Sequence, residues 1–409
     1  NDSKYLIVHD IFDVGLLATD GSAAKRITDG RKRNTRFTVE KSLYFKNAQT
    51  EAEFIRYDFD LSKEIIIRGI DDKKSRGYFV WSKSKGLRTV LWSASMLKGI
   101  QKASQSDIIL YMDETSSTPP ALKMLNMKNK KINTLFQSNQ HNKKYENSRS
   151  VLLTYTKEDG EELQGILQYP SNYIAGKKYP MIVYIYERLS QNLHHYINPS
   201  FQNPIGFSAA NYTFDGYFVL MPDITYKIGL PGESALDCVL AAVENVVSTG
   251  MVSEDKIGLI GHSFGGYEVG YILTKTKVFA AGVIGSGLSD LVKAALTMNF
   301  SDGRANTWRI EMQQYRMGIS LFEDFEKYVA NSPISSAATI ATPVLNWAGK
   351  KDMAVNWEQG LELHLALRRL EKENIFLFYP NDGHILTNLE SQLDLNKRIK
   401  EWFRVHMLN

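Results

Sequence analysis

Ser263 stands in Gly261-His262-Ser263-Phe264-Gly265-Gly266-Tyr267, a Gly-x-Ser-x-Gly pentapeptide followed by a further glycine. A serine hydroxyl is a weak nucleophile until a neighbouring base takes its proton. The sharp turn that presents such a serine between a strand and a helix needs residues without side chains two places before and two places after it, and Gly261 and Gly265 fill those places. Alone, the pentapeptide is a common accident. Here the apolar run Ile257 to Ile260 leads into it and the helical pattern Tyr267 to Thr274 leads out, so it reads as a nucleophile elbow and the chemistry as acyl transfer.

A nucleophilic Ser263 needs a base, and in an open α/β sheet the chain order is serine, acid, histidine. Three histidines follow Ser263. His364 falls within the amphipathic stretch Glu358 to Leu370 and His406 near the end of the last helical stretch, whereas His384 sits in Asn381-Asp382-Gly383-His384, a loop directly after a buried strand, and is the expected base. The acid is to be found among Asp290, Asp302, Asp324, Asp352 and Asp382. Asp352 is favoured because it follows the strand Val344 to Trp347 in a loop at a carboxyl end, with Asp290 next. The backbone N–H of Phe264 supplies one oxyanion donor. No His-Gly-Gly-Gly loop exists to supply another, and the hydroxyl of Tyr186, at the end of the run Tyr179 to Tyr186, is the candidate in its place.

The elements that must position these residues change character along the chain. Up to about residue 145 there are short β runs: Tyr5 to His9, Val14 to Ala18, Ala24 to Thr28, Phe37 to Val39, Leu43 to Phe45, Phe54 to Phe59, Ile65 to Ile67, Tyr78 to Trp81, Thr89 to Trp92, Ile108 to Met112 and Leu122 to Leu125. They suit two or three four-stranded propeller blades, too few to close a propeller. The polar segment Gln137 to Ser150 is the expected linker. This predicts residues 1–145 as the last blades of a truncated β-propeller and residues 146–409 as an α/β-hydrolase domain. Beyond 146, apolar strands alternate with helical stretches, Ser234 to Ser248, Tyr267 to Thr274, Glu358 to Leu370 and Asp394 to His406, which predicts an α/β fold with a mainly parallel sheet covered on both faces.

Composition narrows the function classes. The 409 residues are 43% hydrophobic and 23% charged, with a net charge of +4 that is too small to argue for nucleic acid. The one basic cluster, Lys25-Arg26 with Arg31-Lys32-Arg33, reads as a solvated loop. Cys238, the single cysteine, lies in an apolar helical pattern, and no His-Glu-x-x-His or thiolate cluster is present, so neither a metal site nor a cofactor is expected. No apolar run is long enough for a membrane span. The opening Asn1-Asp2-Ser3 shows no signal peptide and reads as the interior of a longer protein, which leaves cytoplasmic and exported locations both open.

Taken together, the elbow, the strand ending at Tyr186, Gly216-Tyr217-Phe218-Val219-Leu220-Met221-Pro222-Asp223, Tyr328 with Asn331-Ser332-Pro333, and Tyr379-Pro380 with Gly383-His384 resemble the prolyl oligopeptidase family of serine peptidases over roughly residues 150 to 409. The resemblance implies a C-terminal α/β-hydrolase domain behind an N-terminal β-propeller that screens the site, with Ser263, Asp352 and His384 as the triad and Tyr186 as an oxyanion donor. It implies a peptide substrate, with homodimerisation left open and a carboxylesterase on the same fold as the alternative. Two departures stand out: Glu187-Arg188 follow the tyrosine where many relatives have glycines, and part of the propeller is missing. No acidic pair for a substrate's free amine is identifiable, which leaves exo- and endo-cleavage both open. The residues expected to line the substrate pocket are Tyr267, Leu288, Leu291 and Val355. Proline-specific relatives use aromatic rings from the segment that here reads Gly285 to Ala295 and contains none, so no strict proline preference is expected unless Trp308 or Trp357 supplies a ring.

Overall fold

The computed structural model describes residues 4–43, 59–144 and 148–408. The chain divides into two compact units, the first made of residues 1–145 together with Gln191–Tyr196, the second of residues 146–190 and 197–409.

Among the described residues, the first unit is all-β apart from one helical turn, α1 (Gly30–Arg33), and short 3-10 turns. Strands β1 (Tyr5–His9), β2 (Val14–Ala18) and β3 (Ala24–Arg26) form a three-stranded sheet. A four-stranded sheet, β4 (Thr35–Val39), β5 (Ile65–Asp71), β6 (Arg76–Ser82) and β7 (Gly86–Ser93), follows in sequence order. A second, β8 (Met96–Lys102), β9 (Ile108–Thr115), β10 (Thr118–Asn126) and β11 (Ile132–Gln137), is ordered β11-β10-β9-β8. All pairings are antiparallel between neighbours in sequence, the pattern of propeller blades. The basic cluster is not a loop throughout: Arg26 ends β3 and Arg31, Lys32 and Arg33 make up most of α1, all of them exposed. Of the expected runs, Leu43 lies in a 3-10 turn, while residues 44–45 and 54–58 lie outside the described residues.

The second unit is built on one eight-stranded sheet, ordered β12-β13-β15-β14-β16-β17-β20-β21. Its strands are β12 (Ser150–Thr156), β13 (Glu162–Gln168), β14 (Tyr179–Ile185), β15 (Phe218–Pro222), β16 (Val252–His262), β17 (Ala281–Gly285), β20 (Val344–Gly349) and β21 (Asn374–Tyr379). A small hairpin, β18 (Met298–Asn299) with β19 (Arg304–Ala305), lies in the excursion between β17 and β20. Pairing is antiparallel from β12 through β13 to β15 and parallel thereafter. The inner strands are apolar without alternation and buried on both faces, which requires helices on each side. Those helices are α2 (Ala209–Phe214), α3 (Pro231–Val247), α4 (Phe264–Lys275), α8 (Glu358–Arg369) and α9 (Leu389–Leu408). The excursion adds the short α5 (Leu291–Ala295), α6 (Thr307–Glu311) and α7 (Phe325–Ala330). Cys238 is buried in α3 against the sheet. No helix of the described residues is long and apolar enough to cross a membrane.

The fold is thus α/β, an α/β-hydrolase unit preceded by an all-β, propeller-like one.

Candidate active site

Strand β16 ends at His262 and helix α4 begins at Phe264, so the turn is carried by Ser263 alone, at φ 59°, ψ −120°. That left-handed conformation costs a serine energy and persists only where its surroundings hold it. Two contacts do so. A side chain at Gly261 would place its Cβ 2.3 Å from the carbonyl oxygen of Gly265, and one at Gly265 would come 2.3 Å from that of Ile185, so strand, helix and β14 close on one another around the turn. The Ser263 N–H donates to the Gly285 carbonyl at 2.7 Å, tying the turn to β17.

His384 and Asp352 reach this turn from loops beyond the carboxyl ends of β21 and β20. His384 Nε2 lies 2.8 Å from Ser263 Oγ and its Nδ1 lies 2.7 Å from Asp352 Oδ2. A carboxylate only accepts, so Nδ1 carries the proton, and Nε2 is left as acceptor for the serine hydroxyl. Asp352, its side chain fully buried, is itself fixed by the N–H groups of Ala354 and Val355, each 2.8 Å from Oδ1. The loops lock together: a Cβ at Gly349 would lie 2.3 Å from the Gly383 carbonyl, and Lys351 N–H donates to the Asp382 carbonyl.

The other candidate acids are occupied locally. Asp290 caps α5 and Asp324 caps α7, Asp302 accepts from the Arg304 N–H, and Asp382 accepts from the N–H groups of Thr387 and Asn388. Of the other histidines, His364 bonds Asn374 and His406 packs on Trp402.

His262, inside the elbow, has a role the motif did not announce. Its Nε2–H donates to the backbone carbonyl of His384 at 2.7 Å, and its ring stacks on the buried Trp347. Burial, with the neighbouring His384, pushes its pKa down to about 4, so the ring is neutral.

On the opposite side, Tyr186 directly follows β14. Its hydroxyl accepts a hydrogen bond from Gln314 Nε2 at 3.1 Å, and burial pushes the phenol's pKa up. Phe264 opens α4, so its N–H belongs to the first turn, where backbone donors have no partner within the helix. Glu187 adopts φ 39°, a conformation glycine takes at little cost, and its carboxylate accepts from Arg316 at 3.0 Å. An ion pair therefore holds the side chain of the residue that directly follows Tyr186. Nothing local in the sequence pointed to Gln314 or Arg316.

A cavity of about 440 Å³ begins beside Asp352 and is lined by Leu288 and Val355, with Met298, Phe300 and Trp357. Tyr267 and Leu291, expected in the same lining, do not reach it. Both are wholly buried in the core, Tyr267 because its face of α4 turns onto Phe264 and Tyr315, Leu291 because α5 packs its first residue inward. Aromatic faces come instead from Phe300 and Trp357, outside the Gly285 to Ala295 segment. Among the described residues, no group of three or more His, Cys, Asp or Glu converges as metal ligands would.

Sheet order, elbow and the hydrogen-bonded serine, histidine and aspartate define the chain as an α/β-hydrolase with the residue set of a serine hydrolase. Residues 228–409 match the prolyl oligopeptidase family. The uncharacterized peptidase YuxL of Bacillus subtilis (strain 168) is 25% identical over 280 residues, which cover 62% of this chain and 39% of that protein. Acylamino-acid-releasing enzyme 1 of Oryza sativa subsp. japonica is 24% identical over 178 residues, covering 43% of this chain and 23% of that protein. Dipeptidyl peptidase 4 of Porphyromonas gingivalis superposes with a TM-score of 0.74 at 16% identity, covering 98% of this chain and 54% of that one, a likeness of fold. The chain thus spans well under two thirds of the length of these relatives.

Proposed function

We propose that the protein is a serine peptidase that cleaves short peptides through an acyl-enzyme on Ser263. The observation that carries this reading is the unbroken chain of hydrogen bonds from Asp352 through His384 to Ser263 at a strained strand–helix turn. One matched relative is a peptidase by name and another an acylamino-acid-releasing enzyme, which favours amide over ester substrates.

In the reaction, Ser263 Oγ attacks the scissile carbonyl as His384 Nε2 takes its proton, and the imidazolium is stabilised by Asp352. The Phe264 N–H and the Tyr186 hydroxyl donate to the oxyanion that forms. Collapse of the tetrahedral intermediate expels the amine, which takes the proton from His384. Water, deprotonated in turn by His384, releases the acid and restores the serine. The cavity beside Asp352 receives the side chain before the scissile bond.

A fluorophosphonate should label the peptide containing Ser263 and Phe264, and Ser263→Ala should abolish both labelling and turnover. Labelling at another residue, or activity that survives the substitution, overturns the assignment. Matched p-nitroanilides and p-nitrophenyl esters then separate a peptidase from a carboxylesterase on the same fold: the peptidase reading expects turnover of both, the esterase that of the esters alone.

A further inference from the structure

We infer that Gln314 is a positioning residue for the oxyanion, acting through Tyr186; the inference rests on the proposal that the Tyr186 hydroxyl is an oxyanion donor. A phenol has one proton to give and lone pairs that accept. Gln314 Nε2 donates to Tyr186 Oη at 3.1 Å. With the amide on the oxygen, the phenol's own proton must point elsewhere and is free for the substrate. A donor arriving at the oxygen also polarises the O–H bond and strengthens the bond it can give.

The amide is held in place by its surroundings. Tyr315, the next residue, is buried edge-on against Phe264 at 4.8 Å and against Tyr267 at 5.1 Å. Arg316 follows at φ 51° and turns its guanidinium back, where one arm donates to the Gln314 carbonyl and the other to Glu187 Oε1 at 3.0 Å. The guanidinium also lies 4.4 Å over the ring of Tyr226. Glu187 is the residue after Tyr186, and its carbonyl accepts the Ile224 N–H at 2.8 Å. One arginine therefore ties the side chain of the residue after the phenol to the backbone that carries the amide. The separation of 128 residues between Gln314 and Tyr186 is bridged at the one atom whose proton direction matters.

Two substitutions separate this role from general packing. Gln314→Met keeps the length and removes the donor. Gln314→Glu puts a carboxylate there, which accepts from the phenol and draws its proton away from the substrate. On the full chain with a p-nitroanilide, Gln314→Met should lower kcat roughly 3- to 10-fold, the worth of one hydrogen bond, with KM within about twofold. Gln314→Glu should lower kcat further. In a Tyr186→Phe background neither substitution should change kcat again, because the group they act through is gone. Wild-type kcat in both variants overturns the inference, and so does a loss that persists undiminished in the Tyr186→Phe background. If Tyr186→Phe itself leaves kcat unchanged, the oxyanion role of Tyr186 fails and the inference falls with it, while the assignment of Ser263 as the acylated residue, tested by labelling, stands apart.

Discussion

His384 is held at three points, by Asp352 on Nδ1, by Ser263 on Nε2 and by His262 on its own backbone carbonyl. The third is the one with no counterpart in the serine–acid–histidine logic. It fixes where the loop carries the imidazole, and in the proposed reaction a shift of the ring by a fraction of an ångström would cost rate because the proton transfer needs both bonds at once. His262→Ala should therefore lower kcat roughly 3- to 10-fold with little change in KM, and His262→Gln, which can still donate, should recover part of the loss. Equal kcat in all three forms would reduce His262 to a packing residue on Trp347. At this scale, the meeting of Ser263, Asp352 and His384 was readable in the sequence because each stands in a short segment whose neighbours mark a strand's carboxyl end. Gln314 and Arg316 were not, because their partners Tyr186 and Glu187 are 128 and 129 residues away and their own segment has no periodic pattern.

Helix α4 is buried from Phe264 to Thr274, so a titratable group on it meets the core rather than solvent. Glu268 is such a group. Burial is the main cause that pushes its pKa up to about 8, with the Tyr226 hydroxyl donating to one carboxyl oxygen and no hydrogen-bond partner for the other among the described residues. The carboxyl therefore carries a proton at neutral pH in the folded protein, whereas in the unfolded chain it ionises near its ordinary value of 4.5. Between those two values the folded state binds the extra proton, so the stability from this group is fully present below about 4.5 and is lost as pH rises towards 8. Glu268→Gln removes the titration and keeps an oxygen for Tyr226. The Tm advantage of wild type over this variant should shrink steadily from pH 5 to pH 8, and parallel Tm profiles would mean that Glu268 is ionised in the fold. The helix itself was readable from its apolar pattern, but the burial of its polar face was not, since that depends on α3 and the 315–317 segment packing over it.

Across the whole molecule, the order of the eight sheet strands and of α3, α4, α8 and α9 was readable because a strand buried on both faces loses its alternation, and long apolar runs such as Met181 to Ile185 mark it, whereas α2 and the elements of the excursion between β17 and β20 were not read. Strands β8 and β11 escaped notice for the opposite reason. They are the two edges of their sheet, each paired on one side and largely exposed, and so carry mixed patterns such as Met-Leu-Lys-Gly-Ile-Gln-Lys. The return of Gln191–Tyr196 to the first unit had no signal either. The same limit applied to the cavity beside Asp352, the proposed substrate pocket. Residues near the nucleophile in sequence, Tyr267 and Leu291, went into the core, while the walls came from the β18–β19 hairpin through Met298 and Phe300 and from Trp357. A cavity of about 440 Å³ with these walls has room for a large apolar side chain. Burial there is worth about 25 cal/mol per Å², so Phe and Leu before the scissile bond should exceed Ala in kcat/KM. A buried CH2 is worth about 0.8 kcal/mol, so the two extra side-chain carbons of Pro give about 1.6 kcal/mol, which keeps a preference for Pro over Ala that rests on burial alone below about a hundredfold. Trp357→Ala should reduce kcat/KM for the Phe substrate more than for the Ala substrate, because only the larger side chain reaches that wall. The measurement is kcat/KM on p-nitroanilides with Pro, Ala, Leu and Phe before the leaving group, in both forms. A preference for Pro beyond a hundredfold, or an equal loss for Phe and Ala in the variant, would place the specificity pocket elsewhere.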